Sequence, residues 1–183
     1  MDAVTRLIPR QPVPELEVPL LGGGRYRLAE QPDAAFHLLV FYRGLHCPVC
    51  AKYLTELERL WEQFQQRQIS VLALSTDTEA RAAAMAAKIQ AKHLPFGHSL
   101  PLATARAWGL SLSRSRGKTS IGIEEPELFT EPGLFLVRPD GSLYWASTQT
   151  MPFARPRFDD ILAALDFVHA NDYPARGEYT GPV

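Results

Sequence analysis

The chain carries two cysteines, and they stand as Cys47-Pro48-Val49-Cys50. A disulfide that acts as a staple gains most by closing a long loop, and so short a gap closes almost none. In a reducing compartment such a pair points to catalysis or to metal binding. The pair also sits where an apolar, strand-like run gives way to an amphipathic, helix-like one. The free amides and dipole of a helix N-terminus stabilise negative charge, so a thiol placed there is more acidic. Free cysteine titrates at about 8.5, and such a setting brings it to roughly 3.5–7.5. Thiolate is the nucleophile, so the arrangement predicts a reactive sulfur at neutral pH, with the second thiol one turn away to resolve what the first becomes. Pro48 suits the first helical turn, where its missing N–H costs nothing.

His46, Cys47 and Cys50 could also ligate a metal together. A closed zinc site needs a fourth ligand, and no second Cys-x-x-Cys or His-x-x-His supplies one. Neither a metal nor a cofactor is expected.

The elements that must position the pair follow from periodicity. Phe36 to Tyr42 is nearly continuous apolar, as a strand buried on both faces should be, and Ile69 to Leu74 reads the same way. Between them Leu54, Leu57, Leu60, Trp61 and Phe64 recur at helical spacing. Arg25 to Leu28 predicts a short strand after a glycine turn. Ser75-Thr76-Asp77 opens an alanine-rich helix from Glu79 to Lys92. Leu94 to Phe96 reads as an edge strand and Leu102 to Trp108 as a short helix. Gly133 to Val137, the turn Pro139-Asp140-Gly141 and Ser142 to Ala146 predict a hairpin, and Phe158, Ile161, Leu162, Leu165 and Val168 mark a last helix.

The order β-β-α-β-α-β-α-β-β-α predicts an α/β domain whose sheet is covered by helices on both faces. One domain is expected over 1–183, with its core at about 14–170 and a peripheral tail at 171–183. Residues 111–127 show no clear period and read as an exposed insertion. His46 reads as an exposed loop residue.

A formal net charge of −1 gives no general attraction to nucleic acid or to an anionic membrane. Prolines at 9, 12, 14 and 19 interrupt the apolar core that a secretory signal needs, and no segment has the length of a membrane helix. A cytoplasmic location is expected, with neither nucleic acid nor membrane as a partner.

The stretch Phe41-Tyr42-Arg43-Gly44-Leu45-His46-Cys47-Pro48-Val49-Cys50 resembles the active-site strand and turn of the alkyl hydroperoxide reductase/thiol-specific antioxidant (peroxiredoxin) family. The resemblance continues through Val71 to Asp77, Leu94 to Phe96, Ala107 to Leu110 and Gly133 to Gly141. It implies a thioredoxin-like fold, a central mixed sheet and a peroxiredoxin-type N-terminal hairpin. It also implies that Cys50 stands at the peroxidatic position and Cys47 at that of the family's threonine. Two positions depart from the pattern, Cys47 and Pro132, where the family has an arginine before Gly133. In thioredoxins the position of Pro132 is a cis-proline facing the dithiol, so a cis Glu131–Pro132 bond near the cysteines is expected. Arg43, beside the turn, is the candidate to replace the missing cation, its alternative being an ordinary solvated or salt-bridged arginine. The candidate catalytic set is therefore Cys50, Cys47, Arg43 and Pro132.

The leading reading is a thiol-dependent antioxidant enzyme that reduces peroxides through a Cys47/Cys50 dithiol–disulfide cycle, with Cys50 attacking and Cys47 resolving. An external dithiol, thioredoxin- or glutaredoxin-like, would restore it. A thioredoxin-like protein disulfide oxidoreductase is the second reading, with the roles of the cysteines reversed. A non-enzymatic redox-sensing or metal-binding module is the third. The resemblance leaves a homodimer open.

Overall fold

In a computed structural model of the chain, residues 6–31 and 34–183 are described. The sheet is built around β3 (Phe36–Phe41), which is buried at every position. Alternate side chains leave a strand on opposite faces, so Leu38 and Val40 enter one core while Leu39 and Phe41 enter another. β3 pairs in parallel with β4 (Ile69–Leu74) and antiparallel with β8 (Gly133–Val137). β5 (Phe96–Gly97) and β9 (Leu143–Thr148) complete a five-stranded mixed sheet in the order β5-β4-β3-β8-β9.

One face is covered by α1 (Pro48–Arg59), α2 (Trp61–Gln66) and α5 (Phe158–Asn171), through Leu54, Leu57, Phe64, Phe158 and Leu162. Met85 of α3 (Glu79–Lys88) joins the same core. The other face is closed by α4 (Leu102–Ala107), Trp108 and a hairpin of β1 (Glu17–Pro19) and β2 (Arg25–Arg27). There Phe41, Trp108 and Phe135 form an aromatic triangle with ring centroids 5.0–5.7 Å apart. Each such pair adds about 0.5–1.5 kcal/mol to the burial of its area. This is the thioredoxin-like α/β architecture that the alternation implies, with the N-terminal hairpin. Among the described residues, no helix is long and apolar enough to cross a membrane.

Three local features differ from the sequence reading. The single helix expected through Phe64 turns at Leu60 (φ −95°, ψ 2°), which stays buried and divides α1 from α2. The helix expected to reach Lys92 stops at Lys88, because Gln90 adopts φ +56°. Residues 111–127 are not a free insertion. Their base is a hairpin of β6 (Leu112–Arg114) and β7 (Leu128–Thr130), and the exposed positions concentrate toward its tip. Strands this short leave no period to read. The tail is exposed along most of its length and is attached at a few points: the Tyr144 hydroxyl donates to the Tyr173 carbonyl at 2.9 Å, Arg10 Nε–H donates to the Ala175 carbonyl at 2.9 Å, and Ala175 is buried. Backbone carbonyls accept both bonds, so the tail's polar composition conceals them.

Candidate active site

The strand-to-helix junction places Cys47 at the N-cap of α1. Its backbone is extended (φ −99°, ψ 104°), its carbonyl accepts the Ala51 N–H at 3.2 Å, and its Sγ accepts the Cys50 N–H at 3.2 Å. A side chain that accepts this amide fills the role that serine or aspartate usually takes at a helix start, and it favours the anion. Cys50 lies one turn further on, enclosed by the apolar core. Both thiols are reduced and buried, with 1% and 0% of their surface exposed.

Their electrostatics diverge. The Cys47 thiol is lowered from 9.0 to about 6, first by the hydrogen bond from the Cys50 thiol. Burial opposes this, while the Cys50 amide, Arg155 and Arg43 assist it. Cys50 moves the other way: burial raises it well above 9.0, and a charge on Cys47 raises it further. The pair therefore loses its first proton at Cys47, and Cys50 remains the donor to that sulfur.

Arg155, in the segment between β9 and α5, is the cation that reaches the sulfurs. Its guanidinium donates to Cys50 Sγ at 3.1 Å and lies 3.8 Å from Cys47 Sγ. Its plane sits over the Tyr53 ring at 5.1 Å, and Nε–H donates to the Pro152 carbonyl at 2.8 Å. Burial works against its charge, yet the charge on the two sulfurs holds its pKa raised. The shorter contact is to Cys50, but the desolvation of Cys50 outweighs it, and bridging both sulfurs still stabilises a single negative charge on the pair. An open groove of about 490 Å³ leads to this point, bordered by Val49, Tyr53, Phe153 and Phe158.

Arg43 is salt-bridged, and its charge also helps to lower the Cys47 thiol. Its side chain is 15% exposed and pairs with Glu125 at 3.5 Å and Glu131 at 3.2 Å, with Phe129 beneath it at 4.8 Å. It influences Cys47 less than Arg155 does. His46 is buried, not exposed: its ring packs edge-on against Phe129 at 4.6 Å, and Nδ1 lies 3.5 Å from Arg81. Burial, then Arg43, lowers its pKa to about 4, so it is neutral at pH 7 and offers no cation to the neighbouring thiol. Both residues tie the cysteine loop to the β6–β7 hairpin.

Asp77 sets the path of that loop. Its Oδ2 accepts the Leu45 N–H at 2.7 Å and its Oδ1 accepts Arg81 Nε–H at 2.8 Å. Gly44 (φ +137°) passes so close that a Cβ there would lie 2.7 Å from Oδ2. Only glycine fits this backbone beside a fixed carboxylate.

The Glu131–Pro132 bond is trans, against the expected cis bond. Glu131 N–H donates to Ser111 at 2.7 Å and the Pro132 carbonyl accepts from Gln149 at 2.9 Å, so the chain runs on from β7 into β8 without reversing. Arg155 was missed in the sequence because it lies 105 residues from Cys50. The one available signal was its place in the proline-bounded stretch Pro152-Phe153-Ala154-Arg155-Pro156, just before a helix.

Solved structures of similar fold include peroxidoxin BcpB from Mycobacterium tuberculosis, with TM-score 0.69, 21% identity, and coverage of 89% of this chain and 99% of that one. The 2-Cys peroxiredoxin of Plasmodium vivax in its reduced form gives TM-score 0.73 at 14% identity, covering 91% of this chain and 84% of that one. The C47S mutant of PrxQ from Xylella fastidiosa gives 0.70 at 19%, covering 91% and 99%. No curated protein sequence matches the chain. The AhpC/TSA family model matches residues 9–146, a span that holds β3, both cysteines and four of the five strands of the central sheet in full. That span is well over half of the chain, and the protein belongs to the AhpC/TSA family.

Proposed function

We propose that the protein is a thiol-dependent peroxidase in which Cys47 is the attacking sulfur and Cys50 the resolving one. The observation that carries this assignment is the N-cap geometry of Cys47, whose Sγ accepts the amide of Cys50 at the start of α1. It reverses the order implied by the family spacing. The Cys47 thiolate attacks one oxygen of the peroxide, the O–O bond breaks, and the leaving oxygen takes a proton to become an alcohol or water. The sulfur is then a sulfenic acid. Cys50 sulfur attacks it, the S–O bond breaks, water leaves and the Cys47–Cys50 disulfide forms. Arg155, in contact with both sulfurs, stabilises the charge on the reacting sulfur. Two electrons from an external dithiol restore the pair by exchange.

A protein disulfide as substrate is the second reading, favoured by a nucleophile at the first position of a helix-start Cys-x-x-Cys. Peroxide consumption with dithiothreitol as reductant, set beside reduction of insulin disulfides, separates the two. Rapid peroxide turnover that disappears in Cys47→Ser supports the first reading. Insulin reduction without peroxide turnover supports the second. The cytoplasm, with its dithiol reductants, is the compartment in which we place this cycle.

A further inference from the structure

Arg155 is the cation at the sulfurs, and a side chain of that length keeps one pose there only if other groups hold it. Three contacts do so. Arg155 Nε–H donates to the Pro152 carbonyl at 2.8 Å. The face of its guanidinium lies over the Tyr53 ring at 5.1 Å. Its backbone is held on the C-terminal side, where the Tyr53 hydroxyl donates to the carbonyl of the next residue, Pro156. Tyr53 supplies two of the three, one from its ring and one from its hydroxyl.

Tyr53 stands on the same helix as the cysteines, three residues after Cys50, and so belongs to the next turn of that helix face. Its ring is braced in turn by Phe158 of α5, with centroids 4.2 Å apart and planes at 29°. Sulfurs and ring are thus carried by one element, and Arg155, which comes from 105 residues beyond Cys50, is brought into register with both. The kind of side chain matters as well. Among the described residues no carboxylate pairs with Arg155, and Glu56 and Asp159, which border the same groove, are engaged by Arg59 and Arg157. A carboxylate would orient the guanidinium but compete with the thiolate for its charge. An aromatic face holds a cation without neutralising it, and leaves its charge and N–H donors to the sulfurs. Burial raises the Tyr53 phenol, so it remains a neutral donor at every pH at which Cys47 titrates.

We propose that Tyr53 is a positioning residue for the thiol chemistry, holding Arg155 against Cys47 and Cys50 with its ring and its hydroxyl and acting on the sulfurs through that guanidinium. The inference rests on the dithiol reading above and adds the residue that orients its cation.

Alkylation of Cys47 by iodoacetamide across pH tests this on the reduced protein. No peroxide is present, so the result does not depend on which substrate the dithiol serves. Tyr53→Leu should raise the midpoint toward the ordinary thiol range and slow alkylation at pH 7 by roughly three- to tenfold, the scale of a cation held over an aromatic face. Tyr53→Phe keeps the ring against Phe158 and should recover most of that rate, remaining about twofold slow for the lost hydrogen bond. Arg155→Met should raise the midpoint too, and adding Tyr53→Leu to it should change nothing further, because the two residues act through one guanidinium. Circular dichroism verifies the fold of each variant. Where Tyr53→Leu fails to fold, Tyr53→Phe carries the same comparison, its effect present with Arg155 and absent in Arg155→Met. A folded Tyr53→Leu with the midpoint of the unsubstituted protein overturns the inference, and so do tyrosine and arginine effects that simply add. A midpoint unmoved by Arg155→Met overturns it together with the role of Arg155, and leaves the order of the two cysteines standing.

Discussion

Arg155 and Cys50 are 105 residues apart in the chain, yet the guanidinium approaches the sulfur to 3.1 Å. The contact joins the segment before α5 to the first turn of α1, and it supplies the cation that Pro132 does not. Replacing Arg155 by methionine keeps much of the apolar stem over Tyr53 while removing the charge. The Cys47 titration should then move up toward the ordinary thiol range, and reaction with peroxide at neutral pH should slow by about tenfold or more, the scale of one charged hydrogen bond. Arg155→Lys should recover part of the loss. Stopped-flow reaction rates across pH are the check.

The two thiols should titrate apart. Alkylation by iodoacetamide should follow an ionisation near pH 6 and modify Cys47 first, since that thiol is lowered to about 6 while Cys50 is raised. Peptide mapping of the first label incorporated decides this. Label that appears first on Cys50 would count against the assignment.

The same shift has a consequence for stability. With the Cys47 pKa at about 6 in the folded chain against 9.0 ordinarily, the folded state binds fewer protons than the unfolded one between those pH values. Stability should therefore rise with pH across that window and be lost as pH falls through 6, with a slope of at most about 1.4 kcal/mol per pH unit. Urea unfolding of the reduced protein against Cys47→Ser, from pH 5.5 to 8, isolates this slope.

The loop that carries Cys47 depends on Gly44 and Asp77. Gly44→Ala forces a Cβ to 2.7 Å from the Asp77 carboxylate at φ +137°. The substitution should cost about 1–3 kcal/mol in urea unfolding. It should also weaken the thiolate by displacing the Cys47 N-cap. A variant as stable as the unsubstituted protein would show that the loop is not held as described.

Why some of this was legible in the sequence and some was not is a matter of range. β3 and β4 announce themselves because a strand buried on both faces must be apolar at successive positions. The helix start after Cys47 follows from Pro48 and the spacing of Leu54 and Leu57. These are properties of a few consecutive residues. The role of Arg155, the burial of His46 under Phe129 and the pairing of Arg43 with Glu125 and Glu131 depend on segments that meet only after folding. Nothing local distinguishes a buried histidine from an exposed one in a polar loop. Pro132 misled for a related reason, since its hydrogen-bonded surroundings, Ser111 beside Glu131 and Gln149 at its own carbonyl, come from distant parts of the chain.

Cys47, on this geometry, is the sulfur that meets peroxide. Trapping of sulfenic acid with dimedone, in Cys50→Ser and in Cys47→Ser after one equivalent of hydrogen peroxide, tests it most directly. A dimedone adduct is expected on Cys47 in the first protein and little or none on Cys50 in the second. An adduct confined to Cys50 would contradict it.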